Sequence, residues 1–120
     1  MIDRVEIDLA ISSHVVWRTK LKQLLVAGEP ETDVETIRRD DCCTFGKWLD
    51  SLEADEQKDE LIAKVRDLHT AFHLAAGEVA ELALTRDIDG ADAMLSPTGK
   101  YTAASEDLLL ALEDWRAALV

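Results

Sequence analysis

The residues best suited to chemistry in this chain are three histidines and two adjacent cysteines. His69 and His73 are four positions apart, and in a helix this spacing places both imidazole rings on one face, where they can bind a single metal ion. The remaining histidine is His14, and the cysteines form the pair Cys42-Cys43. These residue types predict metal binding as the first chemistry to consider.

His14 and Cys43 are expected to face the same region as the histidine pair. His14 belongs to a repeat of apolar residues at three- and four-residue spacing, which predicts a buried helix face. Cys43 precedes a predicted helix, whose positive dipole end favours a thiolate. One thiolate and three imidazoles would fill a tetrahedral zinc shell, which is typical of structural rather than catalytic zinc. Three aromatic residues near the ligands predict dry surroundings: Trp17, Trp48 and Phe72.

Each of these signals also has a simpler interpretation. A histidine on an apolar face is often a hydrogen-bonded core residue, and a buried cysteine is often only a small apolar side chain. The convergence of four such residues on inward faces favours a metal site. Two alternatives stay open: a hemerythrin-like metal-binding bundle, which needs more histidines and bridging carboxylates, and a metal-free helical dimerisation module.

The elements that must position these side chains are predicted to be helices. Apolar residues recur at helical spacing, and strong β-forming residues do not alternate with polar ones. The pattern predicts long helices over 3–27, 54–85 and 100–119, with short helices before and after the cysteines. Residues 88–98 are ambiguous. Such helices pack as an antiparallel bundle, and the length of 120 residues fits a single domain over 1–120. The predicted inward face of the second long helix is Leu61, Val65, Leu68, Phe72, Ala75, Val79 and Leu82.

Charge and composition exclude several classes of function. The chain has 13 basic and 25 acidic residues, a net charge of −12 that would repel nucleic acid and anionic lipid. No apolar run approaches the roughly 20 residues of a membrane helix, and the charged N-terminus is unlike a secretion signal. We therefore expect a cytoplasmic protein with reduced thiols that binds neither nucleic acid nor membrane.

Three segments resemble, in order, the motifs of the chemoreceptor zinc-binding (CZB) domain family. They are an H-x-x-W segment over 14–17, a C-x-[LF]-G-x-W segment over 43–48 and an H-x-x-F-H segment over 69–73. The wider resemblance covers nearly the whole chain. It implies an all-α fold, an antiparallel four-helix bundle with a short extra helix, in which one Zn²⁺ is bound by the matching residues His14, Cys43, His69 and His73.

The resemblance also implies a non-enzymatic role in bacterial signal transduction. The family's domain is usually attached to chemoreceptors, which control chemotaxis, or to diguanylate cyclases. It tends to form homodimers and is implicated in sensing zinc or hypochlorous acid through its zinc–cysteine centre. This sequence shows neither receptor signalling helices nor a cyclase domain, so we expect a free-standing homodimeric copy with a partner in one of those pathways. Cys42 beside the motif cysteine could trap an oxidised Cys43 as a vicinal disulfide.

Overall fold

The computed structural model describes residues 4–27, 34–41, 43–52 and 59–118, and the regular secondary structure of these residues is helical. As far as they extend, none of the helices combines the length and the apolar composition of a membrane-spanning segment. In chain order the helices are α1 (Arg4–Ala27), α2 (Val34–Arg38), α3 (Thr44–Asp50), α4 (Glu60–Leu84), α5 (Ile88–Leu95) and α6 (Lys100–Ala118).

The predicted long helices are confirmed, with one difference in length. The helix predicted over 54–85 begins at Glu60, because Asp59 has an extended backbone and its carboxylate accepts a hydrogen bond from the N–H of Leu61 at 2.8 Å. This is an N-cap, which satisfies a free donor of the first turn. Residues 53–58 lie outside the described residues. The ambiguous segment 88–98 forms α5 over most of its length.

Contacts near the helix ends show that α1 and α6 are antiparallel. Asp8, near the start of α1, forms an ion pair with Arg116 near the end of α6, at 3.0 Å. Further along α1, Arg18 donates a hydrogen bond to the hydroxyl of Thr102, which lies at the start of α6. The two helices therefore run in opposite directions along their shared contact.

The fourth member of the bundle is the segment that contains α2 and α3, which is broken at the cysteine corner. Arg38 at the end of α2 pairs with Glu81 late in α4, whereas Asp50 at the end of α3 pairs with Arg66 early in α4. This segment therefore runs antiparallel to α4. Together with α1, α4 and α6 it forms the predicted antiparallel four-helix bundle, and α5 is the short extra helix.

Helix α4 is the centre of the packing, since it contacts α1, α2, α5 and α6. Its buried surface is consequently wider than the face that the sequence predicts. Leu61, Leu68 and Leu82 of the predicted face are only partly buried, whereas Ile62 and Ala76 are at most 1% exposed. The buried apolar side chains form one cluster, and the two histidines of α4 lie inside it.

Candidate metal centre

The four predicted ligands meet inside the bundle. Their donor atoms, from His14, Cys43, His69 and His73, all lie within 4.8 Å of one another. The Sγ atom of Cys43 is 3.3 Å from Nε2 of His69, which in turn is 3.0 Å from Nε2 of His73. A tetrahedral zinc site has Zn–N distances of roughly 2.0–2.1 Å and a Zn–S distance of roughly 2.3 Å, and therefore ligand–ligand edges of about 3.3–3.6 Å. The Cys43–His69 and His69–His73 donor pairs are thus close to the spacing of a coordination shell.

His14 turns Nε2 toward the cluster because its other ring nitrogen is held by its own helix. Nδ1 lies 2.6 Å from the carbonyl oxygen of Ala10, one turn earlier. A carbonyl oxygen can only accept, so we assign the ring proton to Nδ1 and a free lone pair to Nε2. In the described part of the chain this buried Nε2 has no hydrogen-bond partner. An orphaned buried acceptor is costly, and a metal ion in the cluster would satisfy it.

His73 is held in the same way by a different helix. Its Nδ1 lies 2.9 Å from the carbonyl oxygen of Ile37 in α2, so Nδ1 is the donor and Nε2 faces the other ligands. Such contacts orient a ligating imidazole and raise its basicity. His69 differs from both, since the polar contacts that the structure records for its ring are made by Nε2, to Cys43 and His73.

Cys43 reaches the cluster from the corner that precedes α3. It is the N-cap of this helix, and its Sγ accepts a hydrogen bond from the N–H of Gly46 at 3.3 Å. A Cβ atom at Gly46 would lie 1.7 Å from the carbonyl oxygen of Asp40, so only glycine fits this close approach.

The pKa of the Cys43 thiol is raised by burial, and backbone hydrogen bonds from the start of α3 oppose this only in part. The position of Cys43 before a helix predicts a thiolate favoured by the helix dipole. Desolvation outweighs that effect in the metal-free protein. A bound metal ion would therefore have to displace the thiol proton, which couples metal affinity to pH.

Burial keeps the three imidazoles neutral. Desolvation lowers the pKa of His14 to about 4 and that of His69 to about 2, and the neighbouring imidazoles add to the effect. Desolvation also lowers the pKa of His73 below its ordinary value, against the hydrogen bond to Ile37. Neutral imidazole is the form that binds metal ions, so the cluster is already in a ligating state at neutral pH.

Aromatic rings surround the cluster and exclude water from most of it. Phe45 is edge-on to His14 and His69, with ring centroids 5.8 and 5.1 Å apart, and Trp48 stacks on Phe45 at 5.8 Å. Of the three aromatic residues predicted near the ligands, Trp17 and Phe72 lie against ligand imidazoles, whereas Trp48 is partly buried and reaches the cluster through Phe45. The rings in direct contact with ligand imidazoles are Trp17, Phe45 and Phe72.

An acidic crevice of about 150 Å³ lies beside the centre and reaches it at His69. Asp40 at its edge accepts a hydrogen bond from the hydroxyl of Thr70, and Asp41 forms an ion pair with Arg39. The crevice gives solvent an approach to one side of the cluster. Its lining residues are Asp40, Asp41, Gly46, Leu49, Asp50, Arg66, Asp67, His69 and Thr70.

Comparison with known families agrees with the geometry of the centre. The family model of the chemoreceptor zinc-binding domain matches residues 14–80, which is more than half of the chain and includes all four clustered residues. Searches of curated proteins and of solved structures gave no significant match. The metal of this family is zinc, and the cluster of three neutral imidazoles and one thiol suits it. On this evidence the chain belongs to the chemoreceptor zinc-binding domain family.

Proposed function

We propose that this chain is a non-catalytic regulatory module, a single domain over 1–120, in which His14, Cys43, His69 and His73 bind one Zn²⁺. The observation that carries the proposal is the buried, unpartnered Nε2 of His14, which shares one small volume with three other donors. Four protein donors complete a tetrahedral shell and leave no position for a substrate or an activated water. This supports a binding role over catalysis.

The ligands belong to three separate elements, so one bound ion links them. Helix α3 is joined to the bundle mainly through side chains. Phe45 and Leu49 are buried, and Trp48 lies against Trp115 of α6 with ring centroids 5.6 Å apart. Without the bond to Cys43, α3 is held by these contacts and by the ion pair between Asp50 and Arg66. Loss of zinc would therefore loosen the corner and change the surface that a partner meets.

Cys43 is the oxidant-sensitive ligand in this proposal. Imidazole resists mild oxidants, whereas a thiolate is oxidised readily. Cys43 is half-buried, while each of the three histidines is at most 2% exposed. Hypochlorous acid would convert the thiolate to a sulfenic acid and release chloride, which removes the sulfur donor and leaves three imidazoles. The module would thus respond to zinc supply or to oxidant.

We propose a homodimer that forms through the outer face of α1. Val5, Leu9 and Val16 recur at four- and seven-residue spacing and are 58%, 59% and 48% exposed. They lie on the side of α1 opposite the buried Ile7 and His14. An exposed apolar stripe of this kind marks a contact surface, and domains of this family are commonly dimeric.

The dimer is tested by light scattering at high micromolar protein concentration. We expect a dimer mass for the parent protein and a monomer mass for Leu9→Glu, with zinc content unchanged in both. The matched control is Leu110→Glu, at an equally exposed leucine of α6. A monomer mass for the parent protein would contradict the proposal.

Family membership also supports a cellular setting for the module. Domains of this family occur in bacterial signalling proteins, and we propose that this chain acts in the cytoplasm within a chemoreceptor or diguanylate cyclase pathway. The reduced thiol that the site requires fits that compartment. The net charge of −12 favours a protein partner over nucleic acid or an anionic membrane.

Elemental analysis tests the metal assignment. Protein purified without chelators should hold one zinc per chain, and His69→Ala should hold none. If the parent protein contains no zinc and takes up none when it is added, the proposal fails. Two irons per chain would instead support a hemerythrin-like bundle.

A further inference from the structure

Helix α2 docks on α4 through three residues that are spaced four positions apart. The Nδ1 atom of His73 donates a hydrogen bond to the carbonyl oxygen of Ile37 at 2.9 Å. Two turns further along α4, Glu81 forms an ion pair with Arg38 at 2.9 Å. Gly77 lies between them and faces the backbone of Arg38. These three residues share one face of α4, so they form a continuous contact with the end of α2.

Gly77 sets the distance between the two helices. A Cβ atom at this position would lie 3.0 Å from Cβ of Arg38 and 3.2 Å from its Cα. Carbon atoms in contact are normally about 3.5–4.0 Å apart, so a methyl group here would require α2 to shift by a few tenths of an ångström. Glycine in the middle of a helix is disfavoured relative to alanine, which means that Gly77 costs helix stability in exchange for this close approach.

We propose that Gly77 is a positioning residue for the metal centre. Arg38 directly follows Ile37, and Gly77 follows His73 by one turn, so the close contact lies next to the hydrogen bond that holds the imidazole. By letting α2 lie against α4, Gly77 brings the Ile37 carbonyl to the ring of His73. That bond fixes the tautomer that offers Nε2 to a metal ion. The inference rests on the proposed zinc function.

The test compares the zinc affinities of the full-length parent and Gly77→Ala by competition with the chromophoric chelator 4-(2-pyridylazo)resorcinol. We expect Gly77→Ala to bind zinc roughly 10–100-fold more weakly, the usual cost of losing a group that orients a ligand. The zinc-free variant should keep its helix content, because alanine is the better helix former. Gly90→Ala in α5 is the matched control, since its added methyl meets the side chain of Asp87, and its zinc affinity should equal that of the parent.

Measuring Gly77→Ala in a second parent, the Arg38→Gly variant, separates the effect of the close contact with Arg38 from other effects of adding a methyl group at Gly77. Arg38→Gly removes the atom nearest to the added methyl, at the cost of the ion pairs of Arg38 with Glu35 and Glu81. The loss of zinc affinity caused by Gly77→Ala should therefore be smaller in the Arg38→Gly protein than in the parent protein. An equal loss in both backgrounds would contradict the proposal.

Nitrogen-15 NMR of the histidine rings reads out the positioning itself. In the parent, the proton of His73 should reside on Nδ1 and exchange slowly, and in Gly77→Ala its exchange should be faster. The proposal is overturned if Gly77→Ala binds zinc as tightly as the parent. It is also overturned if the His73 ring of the parent carries its proton on Nε2. This second measurement uses only the parent protein, so it does not depend on whether the variant folds. A parent that binds no zinc would instead overturn the proposed function.

Discussion

The two sides of the metal centre are built differently. On one side, His14 and His73 belong to long helices, and backbone carbonyls hold both rings at Nδ1. On the other side, Cys43 belongs to a corner between two short helices, and its Sγ is oriented by the N–H of Gly46. His69 lies between them and contacts both sides through one nitrogen. The contrast teaches that one site can combine a fixed half, whose donors are held by long helices, with a lighter half, whose donor is held by a short corner.

The largest expected effect comes from removing a ligand on the fixed side. His73→Ala should abolish tight zinc binding and lower the unfolding free energy of the zinc-loaded protein by roughly 4 kcal/mol, the stabilisation that a ligand supplies at a thousand times its Kd. Thermal melts with and without a strong chelator measure this effect. The exposed neighbour Leu74 provides the control, since Leu74→Ala should melt close to the parent. A melting temperature that neither His73→Ala nor the chelator changes would show that the bundle folds independently of the site.

Acid should destabilise the zinc-free protein through the fixed side. The pKa of His14 is lowered by burial to about 4, from about 6.5 in an unfolded chain. The stabilisation from a buried neutral histidine is complete above pH 6.5 and is lost as the pH falls toward 4. For His14 alone, the unfolding free energy should fall by roughly 3 kcal/mol. Denaturant unfolding at pH 7 and pH 4.5 tests this, and His14→Gln should flatten the dependence. An unfolding free energy that is equal at the two pH values would contradict the burial of neutral imidazoles.

Oxidation should act first on the lighter side. Substoichiometric hypochlorite added to zinc-loaded protein should release zinc in proportion to the oxidation of Cys43. A metallochromic dye measures the released zinc, and mass spectrometry measures the oxidation at Cys43. Cys42 lies outside the described residues, and Cys42→Ser tests whether it traps the oxidised Cys43 as a disulfide. If Met94 or a tryptophan is oxidised first while zinc stays bound, Cys43 is a structural ligand and not a sensor.

The smallest effect is expected from the aromatic contact that anchors α3. Trp48→Phe weakens the contact with Trp115, and aromatic pairs of this kind contribute about 0.5–1.5 kcal/mol. The unfolding free energy should fall by roughly this amount, with a further small loss from the apolar area that the smaller ring no longer buries, while chelator-driven zinc release should become faster because the corner opens more easily. Trp17→Phe, beside His73 on the fixed side, should change the release rate less. A faster release in Trp17→Phe than in Trp48→Phe would remove the distinction between the two sides.

Side-chain periodicity predicted most of the fold and the inward positions of the three histidines. The spacing of His69 and His73 and the apolar repeat around His14 put their rings on inward helix faces, and the structure places them there. The carbonyls that hold His14 and His73 could not be predicted, because every residue carries one and only the packing of the helices selects Ala10 and Ile37.

The lighter half was harder to predict. A short corner has no periodicity, so the direction of the Phe45 ring could not be predicted, and the effect of the helix dipole on Cys43 was overestimated relative to burial. The close packing at Gly77 left a signal in the sequence, since a glycine in the middle of a strong helix pattern calls for a packing reason. That signal identifies a close contact but not the neighbour that makes it.

X-ray absorption at the zinc K-edge tests the central claim most directly. In the zinc-loaded protein we expect one sulfur at about 2.3 Å and three nitrogens at about 2.0 Å around each zinc. Cys43→Ser should lose the sulfur contribution and keep the imidazole signal, since the fixed half stays in place. A parent spectrum without sulfur, or one dominated by oxygen ligands, would contradict a centre formed by Cys43 with His14, His69 and His73.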